Sequence, residues 1–204
     1  MAGLAVLVTL ALPITGTGIA RAQEEYGSTR DAEARAARAA AAEDGVAVAA
    51  MGAAFCAVYP DIRGGGLPDP EPRMRLEPLL TLAFDGALDA AGHLRDRAIR
   101  RAPGDKPPFV DGDLFSSLFE GATDCQAGAV TLGRHTAGVV LHYRYAQGTT
   151  QMGWTDRLTL LRTDDGWRID DVVYGGSWDF ASRGSLRSAI EAAAAEDAGL
   201  TPPD

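Results

Sequence analysis

Lysine is nearly missing from this chain of 204 residues: of 19 basic residues only Lys106 is a lysine, and the other 18 are arginines. Positive charge as a whole is scarce, because 28 acids outnumber those bases and leave a net charge of −9. That balance excludes a general nucleic-acid binder, whose electrostatic footprint is basic. The arginines are scattered among acids and accompany abundant Ala and Gly, the usage of a GC-rich genome, so they do not mark a phosphate-binding cluster. Cysteine is limited to Cys56 and Cys125, with no CxxC pair, which excludes a zinc knuckle and a dithiol redox motif. Histidine occurs only at His93, His135 and His142, too far apart for a local metal motif. Nucleophile-elbow and phosphate-loop patterns are absent; Ser177, in GGSWD, lacks the second glycine an elbow needs.

What remains is ordinary for a folded soluble protein, 46% apolar and 23% charged residues, enough for one domain with an appendage. A wholly disordered chain, a fibrous repeat and a multi-span membrane protein are excluded. Residues 3–15, GLAVLVTLALPIT, are uncharged and apolar but shorter than the roughly 20 residues of a membrane span. Gly16, Thr17 and Gly18 break the run, and Ala20-Arg21-Ala22 supplies a small-x-small cleavage signal before Gln23. The pattern predicts a secretory signal peptide over 1–22, although its start carries no Lys or Arg. No cysteine follows the run to anchor a lipid. Cleavage removes one base, Arg21, leaving 18 bases against 28 acids, or −10. Two cysteines in an exported chain predict a Cys56–Cys125 disulfide.

Residues 23–45 read as an alanine-rich helical spacer, opened by Ser28 and Asp31 and ended by Gly45. A cone-like domain is expected over 46–196 and a disordered tail over 197–204. Val46 to Pro60 carries no charge and places Val48, Met51, Phe55, Val58 and Tyr59 at helical spacing, with Pro60 as its stop. RGGGLPDPEP is a loop. Glu77-Pro78 opens a second helix running to about Arg101, weakened at Gly86 and Gly92. From about Gln126 the period changes to two, giving four strands and a tight turn at Asp164-Asp165. Val139, Leu141, Tyr143 and Tyr145 share one face, and Trp167, Ile169, Asp171 and Val173 share another. Leu186, Ile190 and the alanines to Ala195 close the chain as a helix. The fold class is therefore α+β: N-terminal helices packed on a strongly curved antiparallel sheet of about four strands, with a short C-terminal helix.

An AFCAVY helix, the Asp-rich loop PPFVDGDLFSSLFEGATDC, the strand DGWRIDDVVYG and the helix GSLRSAI follow one another in this order. Over residues 46–195 this resembles the nuclear transport factor two-like superfamily. It is most similar to a bacterial exported family of unknown function with the same DGD loop and WRIDDV strand. The resemblance implies a cone whose open end accepts small molecules, peptides or a second subunit. Superfamily members include isomerases, dehydratases, polyketide cyclases, immunity proteins and interaction modules, so the fold does not choose the function.

Within that frame, Asp113 is a rim carboxylate or the cap of an Asx turn over a short helix LFSSLF. Counting from Asp111, a calcium loop would need Gly and Glu where Ser116 and Ala122 stand. Asp170 and Asp171 alternate across their strand, with Arg157 or Arg144 as possible partners. Tyr59, Tyr143, Trp154 and Tyr174 have the apolar body and polar tip that suit a ligand pocket, or are sheet core. The expected ligand-binding set is Tyr59, Asp113, Tyr143, Trp154 and Asp171, with no metal and no cofactor. The expectation is an exported, periplasmic accessory domain that binds a small ligand or protein partner. A homodimer is possible; nucleic acid is not a partner, and no membrane span remains after cleavage. The alternatives are a lyase or isomerase, in which His142, Asp156 or Asp171 converges with a Tyr in a deep cavity, and an immunity protein whose acidity suits a basic toxin.

Overall fold

The computed structural model describes residues 17–199, so the apolar run at 3–15 and the final residues 200–204 lie outside the described residues. The chain divides into two compact units, Met1–Ala42 and Glu43–Asp204. Helix α1, Thr17–Ile62, runs past both expected stops. Within the first unit, residues 30–42 are exposed at every position. Abundant alanine holds that stretch helical by propensity rather than burial. Gly45 does not end the helix, because Asp44 just before it and buried Val48 just after it are both held by contacts within the second unit. The Asp44 carboxylate accepts a hydrogen bond from Trp167 Nε1 at 3.2 Å and pairs with Arg162. Pro60 falls in the last turn, where its missing N–H removes a single bond, and buried Tyr59 and Ile62 hold that turn. By length and composition alone Arg30–Ile62 would cross a bilayer, but Phe55, Tyr59 and Ile62 within it are buried in the core of the second unit.

The expected loop after α1 ends early. Helix α2, Pro70–Leu76, starts on a proline at the position that needs no N–H, and a single 3-10 turn, Glu77–Leu79, follows it. Glu77-Pro78 thus opens the turn and not the long helix. That helix, α3, spans Leu82–Arg101 without a break at Gly86 or Gly92. Its cap is Thr81, whose hydroxyl accepts from Phe84 N–H at 3.0 Å.

Four antiparallel strands follow in sequential order: β1 Asp124–Leu132, β2 Thr136–Gln147, β3 Thr150–Thr163 and β4 Gly166–Val173. Helix α4, Leu186–Asp197, closes the described chain. The molecule is α+β, with helices preceding a curved open sheet. On the helix-facing side β2 presents Val139, Leu141 and Tyr143, β3 presents Trp154, Asp156, Leu158 and Leu160, and β4 presents Trp167, Ile169 and Val172, all buried. Trp167 and Ile169 are core as their alternation predicts. Asp171 and Val173 are not on that face: the register between β3 and β4 shifts, leaving Asp170 unpaired and turning Val172 inward. Gly52 marks the crossing of α1 over β2, where a Cβ would stand 2.6 Å from Val139 Cγ1. One turn later the expected disulfide, Cys56–Cys125, ties α1 to the start of β1 with its Cα atoms 5.3 Å apart.

Candidate functional site

The concave face of the sheet is where the resemblance places a ligand, and four of the five residues expected there, Tyr59, Asp113, Tyr143 and Trp154, gather on it. Tyr59 arrives from the last turn of α1, Tyr143 from β2 and Trp154 from β3, with ring centroids 4.9 Å and 5.4 Å apart in succession. Trp178 continues the series 5.6 Å beyond Trp154, and the exposed Phe180 lies 6.1 Å beyond that.

Asp113 reaches the same place from the connection between α3 and β1. That connection does not lie on a rim. LFSSLF forms bends and turns in place of the expected short helix, and Phe115, Ser116, Ser117 and Leu118 are all buried. Asp113 does form the Asx turn: its Oδ1 accepts from Phe115 N–H at 2.7 Å. Its Oδ2 accepts from the Tyr59 hydroxyl, whose oxygen in turn accepts from Ala122 N–H at 2.7 Å. Gly121, at φ +76°, lets the loop close around this carboxylate, since a Cβ there would stand 2.6 Å from Asp113 Oδ2. Burial raises the Asp113 carboxyl from 3.8 to about 6, and the bonds from Tyr59 and Phe115 oppose that rise. Burial, reinforced by the neighbouring Asp113 charge, pushes the Tyr59 phenol far above its ordinary value.

A second buried carboxylate, Asp156, stands beside Trp154 on β3. Its donors are Ser117 N–H at 2.8 Å, the Ser117 hydroxyl, Gly175 N–H at 2.8 Å and Trp154 Nε1 at 3.2 Å. The Tyr143 hydroxyl donates to Phe115 O at 2.9 Å, and the Tyr174 hydroxyl donates to Leu114 O at 2.7 Å. The polar tips of Tyr59, Asp113, Tyr143, Trp154, Asp156 and Tyr174 are thus bonded to the 113–118 segment or to chain that packs on it, whereas the buried Trp178 Nε1 has no hydrogen-bond partner. Two tyrosine hydroxyls secure its carbonyls, and Asp156 secures its Ser117.

Asp171 is not part of this group. Its Oδ1 accepts from Arg187 N–H at 3.1 Å, at the start of α4. Asp170 pairs with Arg187 at 2.6 Å and accepts from the Thr81 hydroxyl at 2.7 Å, so neither Arg157 nor Arg144 is its partner. His93, His135 and His142 are all exposed, and His142 lies on the outer face of the sheet over Gly128. Among the described residues no group of His, Cys, Asp or Glu is arranged to hold a metal ion. Ser117 and the burial of its loop leave no signal in the sequence, where LFSSLF has the pattern of a short surface helix. The one legible signal was Asp156, an acid at an inward position of β3 between Trp154 and Leu158.

The described concavities lie elsewhere. One of about 570 Å³ between α2 and α3 is lined by Leu67, Arg73, Leu88, His93 and Asp96 among others. One of about 580 Å³ lies between the 3-10 turn and the β3–β4 hairpin, and one of about 670 Å³ beside Arg63, Glu120 and Tyr145. None is lined by Tyr59, Asp113, Tyr143, Trp154 or Asp156. Compared with known proteins, the chain matches no protein-family model and no curated protein.

Proposed function

We propose that this chain is an exported accessory domain that binds a small ligand or a protein partner on its outer surface and uses the concave side of its sheet as core. The observation that carries this reading is the buried 113–118 segment. It occupies the space between the sheet and α1, and it consumes Asp113, Asp156, Tyr59, Tyr143 and Tyr174 in internal hydrogen bonds. A general acid or base must reach a substrate proton, and neither Asp113 nor Asp156 lines any of the described concavities. The Cys56–Cys125 bond supports an oxidising compartment, and the apolar run with its Ala20-Arg21-Ala22 signal supports export. The order of helices and curved sheet supports the likeness to the nuclear transport factor two-like superfamily, in which interaction modules stand beside enzymes.

The test is whether solvent enters. With Trp167→Phe and Trp178→Phe in place, Trp154 is the remaining fluorophore and is 9% exposed. Its emission should be blue-shifted and its quenching by acrylamide far slower than that of free tryptophan. Quenching near the free rate would reveal a solvated chamber and return the ligand, and the lyase or isomerase reading, to the interior.

A further inference from the structure

The outer face of the sheet carries a feature that composition argues against. In a chain with 28 acids and 19 bases, most surface hollows should present a carboxylate. The hollows beside α2 and α3, beside Arg63, beside the β3–β4 hairpin and beside α4 all do: Asp96, Glu120, Asp164 and Asp197 line them respectively. One hollow of about 280 Å³, across β1, β2 and β3, has none. Its polar side chains are Arg157, Thr131, Thr136 and Thr159.

The register builds it. Thr131 on β1 stands opposite Gly138 on β2, and Gly138 stands opposite Thr159 on β3, so two hydroxyl-bearing residues flank a position with no side chain. Thr136 and Arg157 lie two residues along β2 and β3 from that row, on the same face. Arg157 fills the gap: its Cδ lies 3.3 Å, and Thr131 Oγ1 2.8 Å, from where a Gly138 Cβ would be. A larger residue at 138 would crowd Thr131 Oγ1 and press on the arginine stem. Among the described residues, none of these four side chains has a hydrogen bond or ion pair within the chain. One forked cation and three hydroxyls therefore share a hollow with nothing in the protein to bind.

We propose that this hollow is a seat for a phosphate-type oxyanion. The guanidinium offers paired N–H donors to two oxygens, and the threonines offer hydroxyls to the rest. A planar carboxylate offers two oxygens to that set of donors, whereas inorganic phosphate offers four. The group enters free, as inorganic phosphate, or as the monoester of a larger molecule. The inference rests on the reading that binding is external, and it names the chemistry of what is bound.

The test is titration of the mature protein with inorganic phosphate, glycerol phosphate, acetate and chloride at constant ionic strength, following the Nε–H signals of the arginines by NMR. Arg157 should shift saturably with phosphate in the millimolar range, as suits an open site, while Arg144, on the same face, shows only the small linear drift of screening. Glycerol phosphate binding as tightly as inorganic phosphate assigns a monoester; binding that collapses with the ester assigns the free ion. Thr131→Val with Thr159→Val should weaken binding about tenfold, the loss of hydrogen bonds to a charged group. Arg157→Gln should abolish it, with an unchanged melting curve. Equal response to chloride, or Arg157 and Arg144 moving alike, would overturn the seat. Because acrylamide quenching of Trp154 is independent of Arg157, slow quenching with no phosphate response would remove the seat and leave the external reading standing.

Discussion

Asp113 shows how one side chain can be placed correctly in a turn and still be misjudged. As a surface cap its loss would cost about 1 kcal/mol. Buried, it holds the Phe115 N–H and the Tyr59 hydroxyl together, so Asp113→Ala strands both, at about 1–3 kcal/mol each. Its titration gives a sharper check. The carboxyl titrates at 3.8 when unfolded and at about 6 when folded. A folded value above the unfolded one contributes stability that is fully present below 3.8 and is lost as pH rises through about 6. Urea melts should find the wild type about 1 kcal/mol more stable at pH 5 than at pH 8 on this account, and Asp113→Asn should remove that difference. A wild type equally stable at both values would show that the carboxyl is not buried as described. Trp167 is the apolar counterpart. It is 3% exposed, lies under the Arg162 guanidinium at 4.8 Å and donates to Asp44. Trp167→Ala should cost about 3–5 kcal/mol, visible as loss of the folded protein from cells.

At the scale of elements, the disulfide and the α1 crossing decide where the first helix sits. Cys56 follows buried Phe55 by one residue, and Cys125 faces Tyr143 across β1 and β2. The bond closes a separation of 69 residues, and removing it as Cys56→Ala with Cys125→Ala should cost about 2–5 kcal/mol. In a domain of this size that is a fall in Tm of roughly 5–15 °C, measurable by calorimetry. Thiol titration of the denatured, unreduced protein should find no free cysteine. Helix boundaries were the least legible elements. Gly45 and Pro60 carry breaker signals, but a breaker acts on a helix only as strongly as the packing around it permits, and Val48, Phe55, Tyr59 and Ile62 outweigh both. Thr81 was a readable cap hidden behind the apolar pair Leu79-Leu80. The β4 bulge at Asp170 left no mark in the alternation WRIDDV, since it is the unpaired position itself that reverses the faces.

For the whole molecule, export makes a prediction that concerns the chain before it folds: intact mass of the mature protein should correspond to a start at Gln23, and retention of residues 1–22 in soluble protein would remove the periplasmic reading. The amino-acid sequence by itself determined the fold class, the four strands and their hairpin, the grouping of Val139, Leu141 and Tyr143 on one face of β2, the inward face of the first half of β4, and the pairing of the only two cysteines. These are local or counting properties: periodicity is written in adjacent residues, and two thiols in an oxidising compartment have one way to pair. Only the tertiary structure decided that Tyr59, Asp113, Tyr143 and Trp154 meet around a buried loop and that Asp171 stands apart with α4. Residues 54 positions apart, such as Tyr59 and Asp113, leave no periodic trace of their contact. A loop whose polar groups all find partners inside can be buried as readily as a strand. The acid-free hollow at Arg157 was invisible for the same reason: its three threonines and one arginine come from three strands, and the register alone, through Gly138, brings them together.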